Sequence, residues 1–182
     1  MNGAGRILGV DPGSRITGYG VIEQDGARLR FVACGVLRLE RYGSLAARIY
    51  HLYLGLSEVI ALHRPDRMAV EDVFVATNPR AALKLGHARG VILLAAGQHG
   101  LPLAEFSPLM VKQAVAGYGR APKDQVQRMV RALLNLAASP SADAADALAV
   151  AVCGANHRES WQLPVAGAEP PAPREPTKGD KP

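Results

Sequence analysis

The sequence predicts an α/β domain: a mixed five-stranded sheet flanked by helices. Three observations predict it. The first 40 residues hold three β-type runs separated only by turn signals; two more short apolar runs each follow a helical stretch; and the rest is helical in period. Strands joined by turns pair antiparallel, and strands separated by a helix pair in parallel, so the sheet is antiparallel at its start and parallel afterwards. No internal repeat is visible.

Each element has its own signal. Arg6 to Asp11 is an apolar run broken by Pro12-Gly13, and Thr17 to Gln24 resumes it as a hairpin partner. Asp25-Gly26 is the next turn, followed by a long alternating run with Leu29, Phe31, Ala33, Leu37 and Leu39 expected on one face. Ser44 caps a helix whose Leu45, Ile49, Leu52, Leu56, Val59 and Ile60 keep helical spacing until Pro65 stops it. Arg67 to Phe74 is the fourth strand. Asn78-Pro79 opens a helix to about Gly97, and Pro102 to Phe106 is the fifth strand. Ser107-Pro108 starts a helix to about Ala116, Gly117 to Pro122 is a Gly-rich basic loop, and Lys123 to Leu136 is helical. Ser141 caps the last helix, which runs to about Cys153.

With 182 residues the chain has room for one sizeable core, not for two substrate-clasping lobes. Residues 1–156 are expected to form the domain and 157–182 a Pro-rich tail, disordered from about Pro164, because six of the 13 prolines fall there with few apolar anchors after Trp161. The tail's charges cancel, so the whole net charge of +5 belongs to residues 1–160. Such a basic body favours polyanionic partners. Unbroken apolar runs such as Val91 to Ala96 are far short of a membrane span, and no membrane partner is expected. Cys34 and Cys153 stand alone in apolar stretches, as buried thiols of a reducing cytosol would, and the five histidines form no zinc motif.

Four carboxylates are placed to do chemistry. Asp11 ends the first apolar strand, and Glu71 is the first charge after Met68-Ala69-Val70 in the fourth. Asp143 and Asp146 lie three apart at the start of the last helix, on one face. Alanines at 142, 144, 145, 147 and 149 keep that helix slim enough to lie close against a sheet. Gathered, the four would make an oxygen-only cluster suited to Mg²⁺ or Mn²⁺, and two such ions can clamp an in-line attack on a phosphodiester. Plainer readings stay open: Asp143 and Asp146 complement a helix dipole, Asp11 is a turn former before Pro-Gly, and either Glu71 or Asp72 is the inward one of two strand neighbours.

GVDPGSRITGYGV at 9–21, VEDVF at 70–74, ALKLGHARG at 82–90, VKQAVAGYGRAPKDQV at 111–126 and SADAADALAVA at 141–151 closely resemble the RuvC family of Holliday-junction resolvases. The resemblance runs from about Ile7 to Cys153. It implies an RNase H-like fold, a homodimer, and paired symmetric Mg²⁺-dependent nicks in four-way junction DNA during recombination and repair, leaving ends that can be religated; with the lone cysteines, a cytoplasmic setting is expected. Two Mg²⁺ per site are implied, with Mn²⁺ able to substitute, and a branch-migration motor complex as a further partner. Carried over by position, Asp11, Glu71, Asp143 and Asp146 match metal ligands, and Lys112 and Lys123 match residues that hold the scissile phosphate. Phe74 matches an aromatic that stacks on bases at the junction centre. The helix from Asn78 to Gly97 matches the one that forms much of the dimer contact and borders the DNA, which adds Arg80, Lys84 and Arg89 to the DNA-binding set with Arg120 of the Gly-rich loop. Asp72 departs from the family pattern, where Gln is common.

Without the resemblance, Lys112 and Lys123 read as solvated helix-end charges, Phe74 as core, and the Ala82, Leu85, Arg89, Leu93 stripe as sheet packing. Three other functions compete. Actin-like ATPases and sugar kinases open with a similar Asp-x-Gly-Ser hairpin but need two such domains. A non-catalytic junction-binding protein has no use for four acids that repel phosphate. An RNase H-like nuclease acting on structured RNA is the nearest rival.

Overall fold

Turn chemistry sets the first half of the sheet. In the computed structural model, which describes residues 5–72, 78–157 and 160–162, Gly26 takes φ 61° and turns strand β2 (Ile16–Asp25) into β3 (Arg28–Arg38). β1 (Gly5–Asp11) pairs antiparallel with β2, with Asp11 opposite Gly18. Helix α1 (Leu45–His63) is capped by the Ser44 side chain, which accepts from the Ala47 N–H, and ends where Arg64 turns left-handed before Pro65. β4 (Arg67–Glu71) then pairs in parallel with β1. Asn78 caps α2 (Pro79–Gln98), accepting from the Arg80 and Ala81 N–H groups, and β5 (Leu103–Phe106) adds in parallel to β4. Three helices follow: α3 (Pro108–Ala116), α4 (Lys123–Leu133) and α5 (Ala142–Asn156). The strand order is β3-β2-β1-β4-β5, the mixed five-stranded sheet expected from the sequence.

The sheet is covered on both faces. Ile7, Ile22, Ala69, Ala104 and Phe106 pack under α3, α4 and α5, while Leu8, Val10, Val21, Met68 and Val70 pack under α1 and α2. α1 is long and apolar enough by length and composition to cross a membrane, but Leu52, Leu56, Val59 and Ile60 bury one of its faces in this second core.

Five details differ from the sequence reading. The β2–β3 register shifts between Val21, opposite Ala33, and Ile22, opposite Phe31, which leaves Val32 as an extra residue. Leu29 therefore packs on the α5 side, Ala33 and Leu37 on the α1 side, and Phe31 is 41% exposed; a single apolar face does not exist. β4 stops at Glu71; Val73 to Thr77, Phe74 included, lie outside the described residues. α4 ends at Leu133 because Asn135 takes φ 49°, and α5 continues one turn past Cys153, to Asn156. Ser141 holds the N-cap position of α5, but its side chain makes no cap hydrogen bond.

The chain after α5 turns back onto the sheet. Gln162 and Leu103 exchange both backbone hydrogen bonds at the β5 edge (3.0 and 2.8 Å), and Trp161 packs edge-on against Phe106 beneath the Arg67 guanidinium. Residues 163–182, where the Pro-rich tail is expected, lie outside the described residues.

Candidate active site

Alternation along two parallel neighbours brings the first two carboxylates together. On β1, Leu8 and Val10 face the α1–α2 core and Ile7 the α5 core; on β4, Met68 and Val70 face α1–α2 and Ala69 faces α5. Asp11 and Glu71, each one step beyond a Val, therefore both turn toward α5. The register pairs Val10 with Val70, so the two acids end adjacent strands side by side. The choice between Glu71 and Asp72 is thereby settled in favour of Glu71 as the inward neighbour.

α5 brings the other two. It lies directly on β1 and β2 because the strands offer glycine where the helix offers alanine and bare backbone. A Cβ at Gly18 would collide with the Asp143 carbonyl, and one at Gly9 with the Ala147 carbonyl. Gly18 is the residue opposite Asp11, so the first turn of α5 is seated beside that carboxylate. Asp143 and Asp146 emerge there, both half-buried.

Their electrostatics are those of acids crowded in low dielectric. Burial first, then the charges of Glu71, Asp146 and Asp143, push Asp11 up to about 8, and it shares a side-chain hydrogen bond with Glu71. Glu71 is also raised, by burial and by Asp146, against the lowering pull of the Asp11 hydrogen bond, Lys112 and Lys123. Lys123 Nζ lies 2.6 Å from Asp146 Oδ2, and that hydrogen bond raises the lysine. Among the described residues, no three Asp, Glu, His or Cys side chains stand close enough to form a metal shell as placed. Asp11 and Glu71 are held to each other and Asp146 to Lys123. Glu71, Val111, Lys112, Lys123, Val126, Asp146 and Ala149 line a cleft of about 150 Å³.

The chain that carries this cluster of acids and lysines at the ends of β1, β4 and α5 has relatives among known proteins. The family model of crossover junction endodeoxyribonuclease RuvC matches residues 7–154. The chain belongs to the RuvC family. Crossover junction endodeoxyribonuclease RuvC of Halorhodospira halophila is 57% identical over 155 residues, 85% of this chain and 92% of that one. That of Geobacter metallireducens is 56% identical over 151 residues, 83% and 92% of the two chains. T. thermophilus RuvC in complex with Holliday junction substrate superposes with a TM-score of 0.81 at 33% identity, over 87% of this chain and 99% of that one. The RNase H-like α/β class expected from the sequence is thereby established.

Not every residue singled out in this RuvC-family chain converges on the cleft. Lys112 and Lys123 do. Arg80 and Lys84 are exposed on the first turns of α2, and Arg120 is exposed on the loop before α4. Arg89 is not free for phosphate: its guanidinium is hydrogen-bonded to Glu105 and lies 3.6 Å from Asp72 Oδ1. One contributor escaped the sequence reading. Thr17, fully buried, donates to the Gly13 carbonyl (2.9 Å) and accepts from the Gly13 N–H (3.2 Å), bracing the turn that follows Asp11. A threonine four residues after the Pro-Gly turn is the only signal the sequence carries for it.

Proposed function

We propose that this chain resolves four-way (Holliday) DNA junctions by metal-dependent hydrolysis of one phosphodiester in each of two like-polarity strands. The observation that carries the reading is the cleft lined by Glu71, Asp146, Lys112 and Lys123, with Asp11 and Asp143 close enough to Glu71 and Asp146 for the four acids to interact, in a chain of the RuvC family.

The donor set fits a hard divalent cation. All four acids offer carboxylate oxygen, and the nearby Cys153 thiol is pushed up to about 12 by burial and the charge of Glu71, so it offers no soft thiolate. Burial first and then repulsion from the neighbouring acids raise Asp11, and a cation would relieve the repulsion. Asp11, Glu71, Asp143 and Asp146 would hold two Mg²⁺, or Mn²⁺ in their place. Bound there, the metal would polarise the scissile phosphate and favour attack by water. The chain's own residues do the rest. Lys123, raised and therefore an ammonium throughout the working range, is drawn by Asp146 to the cleft mouth, where it can hold a phosphate oxygen. Lys112 lines the same cleft from α3 and can hold the same group.

Paired cuts need two such sites. α2 exposes Leu83 and Leu94, 65% and 57% accessible, with Gly86 and Gly90 between them where added side chains would meet nothing within 4 Å. Together with exposed Tyr50, Leu54 and Leu62 on α1, this apolar surface supports a homodimer built on α1 and α2. The exposed Arg80, Lys84 and Arg120, and Phe74 beyond β4, complete the DNA-binding set. Family resemblance alone supports a branch-migration motor as partner; the unpaired Cys34 and Cys153 support a cytoplasmic setting, and the Pro-rich composition after residue 156 supports the division into a nuclease domain and a tail.

The test is cleavage of labelled synthetic four-way junction, linear duplex and structured RNA, with and without Mg²⁺, beside Asp11→Asn. Symmetric nicks in the junction alone, dependent on metal and lost in the variant while junction binding persists, are expected. Equal cutting of linear duplex, cutting of RNA alone, or junction binding with no cutting would each overturn the reading.

A further inference from the structure

Arg89 lies on α2, yet its side chain works at the tip of β4. Nη2 is hydrogen-bonded to Glu105 of β5 and lies 3.6 Å from Oδ1 of Asp72, the residue after Glu71. Asp72 is also held through its backbone, its N–H donating to the Phe106 carbonyl at 2.8 Å. Two carboxylates on one guanidinium leave little positive charge for an external phosphate. Among the described residues Arg89 Nε is buried with no hydrogen-bond partner, so that end of the side chain faces inward.

Direction along the strand makes this contact consequential. Neighbouring residues in extended chain face opposite sides, so Asp72 turned toward α2 and Glu71 turned toward α5 are one conformational choice. Whatever holds Asp72 on the α2 side holds Glu71 beside Asp11. β4 has only five residues and its register with β5 ends at Glu71 opposite Phe106, so among the described residues the single Asp72 N–H bond to Phe106 is the only backbone pairing that braces the tip beyond it.

We propose that Arg89 is a positioning residue for the metal site: by clamping Asp72 and Glu105 it keeps Glu71 turned toward Asp11 and α5, and it ties that carboxylate to the helix that carries the dimer surface. The proposal rests on Glu71 being a metal ligand. It replaces the phosphate contact that the sequence suggested for Arg89. It also makes the metal site of each subunit sensitive to how α2 is seated.

The test compares Arg89→Gln, Arg89→Lys and Asp72→Asn with the unaltered protein. Three quantities are read: Mn²⁺ binding to the DNA-free protein from the EPR signal of free Mn²⁺, the Mg²⁺ concentration giving half-maximal cleavage, and junction affinity in EDTA as a function of salt. Arg89→Gln is expected to weaken Mn²⁺ binding about 10-fold and to move the Mg²⁺ midpoint by the same factor, as loss of a group supporting a ligand does. Junction affinity and its salt slope stay unchanged. Arg89→Lys recovers part of the loss, Asp72→Asn reproduces it, and combining Asp72→Asn with Arg89→Gln adds nothing further. Should Arg89→Gln fail to fold, the surface change Asp72→Asn carries the test, and unaltered Mn²⁺ binding in it overturns the clamp. Unaltered Mn²⁺ binding in Arg89→Gln with weaker junction binding and a salt slope reduced by about 1 also overturns it, making Arg89 a phosphate contact. Glu71→Gln is the reference: if it too leaves Mn²⁺ binding unchanged, the metal-site reading has failed, and the clamp fails with it.

Discussion

Asp11 is the side chain with most to lose from standing alone. Its pKa, raised from 3.8 to about 8 by burial and three neighbouring acids, means that the metal-free protein keeps it protonated where the unfolded chain does not. The stabilisation is therefore full below about pH 4, declines as the pH rises and is gone above about pH 8. Asp11→Asn, which mimics the protonated form, should raise the melting temperature of the metal-free protein by an amount that grows from pH 4 to pH 8 and then levels off, reaching at least about 3 °C. A constant difference across that range in thermal melts would show that Asp11 is not the titrating group. The same proton has to leave before metal enters, so Mn²⁺ affinity should rise with pH up to about 8. Asp143→Asn should lower the nicking rate about 100-fold or more while gel-shift affinity for the junction in EDTA holds or improves, because one charge that repels phosphate is removed.

At the scale of elements, the seam between α5 and the β1–β2 hairpin sets the site's dimensions. Gly18→Ala has to move α5 or bend β2, at a cost of about 1–3 kcal/mol. It should lower the melting temperature by several degrees and reduce cleavage far more than junction affinity; wild-type cleavage in a folded Gly18→Ala protein would mean that α5 has slack. The alanines of α5 announced this close approach in the sequence, because small side chains at 144, 145, 147 and 149 fit only a helix pressed against something flat. The glycines opposite them do not announce themselves, since glycine in a strand also signals a bulge or a turn. The actual bulge, at Val32, has no glycine, and nothing in the alternation of residues 28–39 reveals that one residue is surplus. The strand-end acids were legible because a charge closing an apolar run has few places to go. The ion pairs that hold Arg89 and Lys123 were not, because a basic residue looks the same in sequence whether it meets a phosphate or a carboxylate 16 or 23 positions away.

For the whole molecule, charge and apolar surface divide the work. Residues 1–160 carry 18 basic residues against 13 acidic, and four of those acids are clustered at the ends of β1, β4 and α5, so the body that meets DNA is strongly basic around an acidic centre. Junction affinity should fall steeply with salt, and Arg120→Ala should reduce the slope by about 1, measured by fluorescence anisotropy. Leu83→Glu with Leu94→Glu places four carboxylates in the proposed dimer surface; sedimentation should then report a monomer that still melts cooperatively, and a persisting dimer would put the contact elsewhere. The glycine–alanine seam has one more consequence. Most protein interiors fail by losing atoms, when a large side chain becomes a small one and a hole opens. Here the stretch nearest the chemistry has almost nothing to lose, so its harmful errors are additions: a single methyl or hydroxyl gained by miscoding at Gly9 or Gly18 would jam the enzyme, while a truncating change has no side chain there to remove.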